Sequence, residues 1–160
     1  MAETQATLFL KANGIAFDLL AYEHDPRAEA YGLEAVEKLG LQAETVFKTL
    51  VVTDEGTPAR FALALVPAAR KLSLPAAAKA LQWKRAAMAK PADAQRLTGY
   101  VVGGISAFGT KRQLPVLVDQ TMLGFPLIHL SGGRRGLEIR LNPEDLVTSL
   151  KAIAAPATIA

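Results

Sequence analysis

The chain has 160 residues, 51% of them hydrophobic and 21% charged, which suits one domain with a single sizeable core and shows no compositional signature of disorder. With no cysteine it has no disulfides and no thiol nucleophile of its own, and a formal net charge of +3 permits a phosphate-bearing partner without demonstrating one. No apolar run reaches the roughly 18 residues a membrane span needs, and Met1-Ala2-Glu3-Thr4 lacks the basic and apolar pattern of a secretory signal, so a cytoplasmic protein without membrane contact is expected.

Thr4 is placed to cap a first helix carrying Leu8, Phe9 and Ala12, which Gly14 ends. Phe17 to Tyr22 reads as a strand, and Leu33 to Leu39 as a helix with Ala35, Val36 and Leu39 on one side, stopping at Gly40. Lys48 to Thr53 and Arg60 to Val66 form a hairpin around Asp54-Glu55-Gly56-Thr57. Ser73 then caps a helix with Pro75 in its first turn, running to Leu81. A short strand near Arg85 to Met88 precedes a helix that begins at Pro91 and is closed by Gly99. Val116 to Asp119, Leu127 to Ser131 and Leu137 to Leu141 read as strands. Asn142-Pro143-Glu144-Asp145 opens the last helix with cap, proline and acidic first turn together, and the tail Ala154 to Thr158 is expected to fray. Helices interspersed with short strands, without strict β-α-β alternation, predict a mixed sheet in one α+β domain spanning 1–160.

Lys48 stands out within this plan. In Phe47-Lys48-Thr49-Leu50-Val51-Val52-Thr53 the strand period puts its charge on the apolar face of Leu50 and Val52, with Phe47, Thr49 and Val51 opposite. An ammonium against apolar surface either snorkels to water or has a task, such as gripping an anionic or carbonyl oxygen. In the two strands near the C-terminus, His129 and Ser131 share a face, and Glu138 and Arg140 oppose Leu137, Ile139 and Leu141. Ser131, Glu138 and His129 could therefore line a cavity with Lys48, or Glu138 and Arg140 could form an ordinary solvated strand face.

Two glycine-rich segments frame these residues: Thr98-Gly99-Tyr100-Val101-Val102-Gly103-Gly104-Ile105-Ser106-Ala107-Phe108-Gly109 and Ser131-Gly132-Gly133-Arg134-Arg135-Gly136. Consecutive glycines admit positive φ and can turn successive N–H groups onto one oxygen, although a glycine pair by itself also suits a plain turn. No Gly-Lys-Ser/Thr follows, so this is not a phosphate loop.

Together with Phe47-Lys48-Thr49-Leu50, and from Tyr22-Glu23-His24-Asp25 to about Leu141, these segments resemble the YbaK/EbsC family of bacterial Cys-tRNA(Pro) deacylases, relatives of the prolyl-tRNA synthetase editing domain. The resemblance implies a strongly curved, barrel-like mixed sheet surrounded by helices. It also implies trans-editing of mischarged Cys-tRNA(Pro), with the substrate's own thiol attacking the ester. Carried over by position, it makes Lys48 and Gly103 catalytic and gives Tyr22, Thr49, Gly104, Ser106, Ser131 and Glu138 to the substrate pocket. This chain departs from the family pattern at Ala107, where Gly-Gly-x-Ser-Pro has proline, and at Glu138, where aspartate is usual; both bear on the pocket's geometry.

The implied partners are tRNA and prolyl-tRNA synthetase, and no cofactor is called for. Neither a Ser-His-Asp arrangement nor a metal-ligand spacing is present, and His24 and His129 read as structural. Of the basic pairs, Lys111-Arg112 and Arg134-Arg135 adjoin the glycine segments and are candidates for tRNA phosphates, whereas Arg70-Lys71 and Lys84-Arg85 read as solvated surface. Two other readings stay open: an Ala-tRNA(Pro)-type deacylase that uses water, and a non-catalytic tRNA- or protein-binding module.

Overall fold

The computed structural model describes residues 3–28, 31–57 and 60–160. Met1 and Ala2, the start of the N-terminal segment read above, and Pro58 and Ala59 at the hairpin tip lie outside the described residues.

Helix α1 (Gln5–Ala12) starts at Thr4 through a reciprocal cap with Thr7, a short polar signal legible in the sequence. Its buried face is Ala6, Thr7 and Leu10, with Phe9 packed partly against the same core, whereas Leu8 is 44% exposed. The remaining elements are β1 (Asp18–Ala21), α2 (Tyr31–Leu39), β2 (Phe47–Asp54), β3 (Phe61–Pro67), α3 (Leu74–Leu81) and β4 (Ala86–Met88). After them come α4 (Pro91–Thr98), β5 (Val116–Asp119), β6 (Ile128–Ser131), β7 (Leu137–Leu141), α5 (Pro143–Leu150) and β8 (Ile153–Ala155). Ser73 and Asn142 cap α3 and α5 by accepting from the N–H groups of Ala76 and Glu144, and Gly99 ends α4 in the left-handed region.

The α+β reading holds, and the strands divide between two sheets. One has the order β1-β7-β6; the other, mixed, has the order β4-β2-β3-β5-β8, and an isolated bridge between Val46 and His129 joins them without closing a barrel. The long hairpin β2–β3 is the backbone of the second sheet. Its one face (Phe47, Val51, Leu63, Leu65) enters the main core with Leu10, Phe108, Ile128 and Ile139, and its other face packs under α3 through Val52, Ala62, Ala64 and Val66. Burial on both faces explains why the hairpin reads as near-continuous apolar sequence.

The tail does not fray. Strand β8 adds to the sheet edge parallel to β5, and Ala157 is fully buried with its N–H donated to Asp119 Oδ1 at 2.9 Å. Ser73 N–H in turn donates to the Ala157 carbonyl at 2.8 Å, so the segment satisfies backbone groups on two neighbours.

Candidate functional site

The register of β2 creates the site. Strand β4 pairs only with Val52–Asp54, so the stretch Lys48–Leu50 has no strand on that side among the described residues and borders open space. Across the gap stand β6 and β7, with Ser131 opposite Glu138 in antiparallel register. Between these walls lies a cavity of about 440 Å³, closed further by the first glycine segment and by the start of α4. Tyr22, Lys48, Thr49, Gly103, Ser131 and Glu138, six residues singled out in the sequence, all line it.

Lys48 is half-buried and makes no hydrogen bond or ion pair with the described residues; burial, and secondarily the charge of Lys71, depress its pKa. Next to it, Thr49 lines the cavity, and its Oγ1 is buried without a partner among the described residues. On the opposite wall Glu138 is only 6% exposed, and burial pushes its pKa up to about 8. No ion pair links Lys48 to Glu138. Tyr22 is pushed up to about 12, first by burial and then by the charges of Glu138 and Glu34. The solvated-face alternative for Glu138 is therefore wrong for that residue, while Arg140 does reach solvent and pairs with Asp18 at 3.2 Å.

The two glycine segments are pinned to each other and to α1. Gly103 has φ +93°, a conformation that an L side chain enters only with strain. Gly104 sits against the backbone of the second segment: a Cβ there would come 2.8 Å from the Arg134 Cα. Arg135 Nη2 donates to the Val102 carbonyl at 2.7 Å, and Thr4 Oγ1 donates to the Gly132 carbonyl. The missing proline at Ala107 leaves the loop held by other means. Ala107 is buried in the core, Ser106 Oγ accepts from the Phe108 N–H at 3.3 Å, and the Tyr100 hydroxyl donates to the Phe108 carbonyl.

Two residues given to the pocket, Gly104 and Ser106, lie behind its wall, and two of the four basic residues considered for tRNA phosphates, Lys111 and Arg112, lie off it. Gly104 is spent on close packing and Ser106 on holding its own turn. The N–H groups of Lys111 and Arg112 donate to the Thr98 and Leu97 carbonyls at the end of α4, and Arg112 lines a separate concavity with Arg60 and Trp83. Arg134 and Arg135 do line the cavity.

Neither histidine does. His24 Nδ1 donates to Glu34 Oε1 at 2.7 Å. Thr45 gives its hydroxyl proton to the Gln42 carbonyl and so accepts from His129 Nδ1 at 3.1 Å, and burial lowers the His129 pKa. Sequence reading missed the apolar lip of Leu33, Met88 and Val102, whose side chains gave no signal beyond ordinary hydrophobicity. It also missed the buried carboxylate of Glu34, which accepts from the Asp25 N–H as well as from His24.

Comparisons with known proteins identify the family and the fold. The model of the aminoacyl-tRNA editing domain matches residues 26–149. The chain belongs to that family. It is by class an aminoacyl-tRNA deacylase, and its likeness to the YbaK/EbsC proteins is borne out. A protein of Enterococcus faecalis, provisionally named Cys-tRNA(Pro)/Cys-tRNA(Cys) deacylase EbsC, is 34% identical over 112 residues, covering 70% of this chain and 67% of the relative. Two solved structures share the fold at 23% identity. One, of a hypothetical protein designated APE2540, has a TM-score of 0.86 over 98% of this chain and all of that one. The other, described as a provisional trans-editing enzyme for prolyl-tRNA synthetase, has a TM-score of 0.85 and full coverage of both chains.

Proposed function

We propose that residues 1–160 act in the cytoplasm as one trans-editing domain that deacylates Cys-tRNA(Pro), with prolyl-tRNA synthetase as the partner that supplies the mischarged tRNA. One observation carries this reading: Lys48, whose ammonium has no partner among the described residues, borders a cavity that no histidine lines. The site therefore offers charge and position and no familiar nucleophile–base pair, which suits a substrate bringing its own nucleophile.

In this mechanism the cysteine thiolate of the substrate attacks its own ester carbonyl. The carbonyl oxygen takes up the negative charge of the tetrahedral intermediate, and Lys48 and the Gly103 backbone stabilise it. Collapse breaks the bond to the ribose oxygen, which leaves with a proton from solvent. The cyclic thioester that remains is opened by water to free cysteine. The name of the Enterococcus faecalis relative supports the substrate, and a cavity of about 440 Å³ has room for more than the methyl group of alanine.

Single-turnover deacylation of Cys-tRNA(Pro) and Ser-tRNA(Pro) under identical conditions tests the nucleophile. The two side chains fill similar volumes, but a thiol with pKa near 8.5 is a few per cent ionised at neutral pH and a hydroxyl is not. Cys-tRNA(Pro) is expected to react at least about a hundredfold faster, beyond what pocket fit provides for such similar groups. Near-equal rates would identify water as the nucleophile and move the protein to the alanine type.

A further inference from the structure

The cavity has two charged poles that do not satisfy each other. Lys48 stands at the β2 edge, and Glu138 on β7 is buried, its carboxyl makes no hydrogen bond or ion pair among the described residues, and it lines the same space. Ionising a carboxyl group held in this way is costly unless a cation arrives to pair with it. Two arginines also border the cavity, but Arg135 is committed to the Val102 carbonyl and Arg134 is an exposed residue of the loop, whereas Glu138 sits deep on its strand. The missing cation has to come with the ligand.

Resting on the deacylase reading, we propose that Glu138 recognises the free α-ammonium group of the aminoacyl ester, so that the pocket selects unblocked aminoacyl-tRNA and sets its orientation. The α-ammonium lies one bond from the ester carbonyl carbon's neighbour, so fixing it at the Glu138 pole swings the carbonyl oxygen away from that carboxylate. Lys48 works with this arrangement from the other side, repelling the ammonium and attracting the carbonyl oxygen. A blocked amine, as in an N-acylated aminoacyl-tRNA, brings no charge to Glu138 and leaves the carboxyl unpaired. Burial has already raised its pKa to about 8, so an amine that arrives neutral can take the carboxyl proton and form the same ion pair with no net proton exchanged.

The test uses two stable amide analogues of the terminal nucleotide, 3′-cysteinylamino-3′-deoxyadenosine and its N-acetyl form, and the corresponding pair of tRNA substrates. The wild-type chain is expected to bind the free-amine analogue about tenfold or more tightly than the acetylated one, and to deacylate Cys-tRNA(Pro) faster than N-acetyl-Cys-tRNA(Pro). In Glu138→Gln, which keeps the shape and removes the charge, the ratio should collapse towards one in both assays. Glu138→Asp should keep part of it. Equal binding of the two analogues by the wild-type chain, or the same ratio in Glu138→Gln, would overturn the proposal. Absence of turnover with the binding ratio intact would sink the deacylase reading and leave the ammonium site standing.

Discussion

The two walls of the cavity are built from the same kind of element and do opposite things. On the β2 wall, a lysine at a strand edge keeps a route to water and loses only part of its hydration. On the β6–β7 wall, a glutamate near the centre of a three-stranded sheet, between β1 and β6, is almost fully withdrawn from water. The first charge keeps its contact with water, and the second is largely neutral until a cation joins it. A cavity of this design carries a standing positive pole and a conditional negative one.

The largest effect is expected from removing the standing pole. Lys48→Ala should lower single-turnover deacylation on the order of a thousandfold, the upper range for loss of one oxyanion donor, while the far-UV circular dichroism and melting temperature stay close to wild type. A retained rate would reduce Lys48 to a snorkelling side chain and remove the contrast between the walls. Gly103→Ala should cost less, roughly tenfold to a hundredfold, because φ +93° strains any side chain there and the loop must shift to relieve it. An unchanged rate in that variant would show that the loop backbone takes no part.

How much of this contrast could be read beforehand follows from the reach of each signal. The strand period placed Lys48 with Leu50 and Val52, and Ser131 with Glu138 across a turn, because alternation is a local property of the chain. Depth is not local. Whether Glu138 faced water or protein depended on distant segments, Tyr22, the Lys48–Leu50 stretch of β2 and the Gly103 loop, that wall the same cavity and that no neighbour of Glu138 encodes. The same limit explains the tail, whose order depends on Asp119 capturing the Ala157 N–H, and Arg112, which is near the glycine segment in sequence but lines a different concavity. Gly104 and Ser106 were placed in the pocket by family position, and only the packing of one loop on the other shows that they hold the wall up from behind.

The conditional pole makes a prediction about stability that needs no substrate. A carboxyl whose folded pKa is raised to about 8 binds its proton more tightly in the folded chain than in the unfolded one. Between the ordinary carboxylate pKa and about 8 the folded state therefore holds more protons, and stability falls as pH rises through that window. Glu138→Gln removes this loss. Its melting temperature should match wild type near pH 4 and exceed it by a few degrees at pH 8, a gain of roughly 1–4 kcal/mol. Equal melting temperatures at pH 8 would mean that Glu138 ionises freely in the folded chain.

The smallest expected effect lies at the rim, where the walls differ again. The mouth is apolar at Met88, on the strand paired with β2, and at Leu33, whereas the turn between β6 and β7 contributes Arg134 and Arg135, the latter held against Val102. A tRNA acceptor end entering there would meet the cations of the rim at Arg134 and Arg135 before reaching Lys48 within the cavity. Each phosphate neutralised by such a cation releases counterion, so it adds nearly one unit to the slope of log affinity against log salt. Arg134→Ala should therefore weaken tRNA binding several-fold at low salt and reduce that slope by about one, without changing how Cys- and Ser-tRNA(Pro) are ranked. Arg112→Ala, on the separate concavity, should leave the slope at its wild-type value. If both substitutions flattened the slope equally, the tRNA backbone would have to pass the end of α4 as well as the glycine loops, and the mouth of the cavity would no longer be the place where the two walls tell the acceptor end which way to enter.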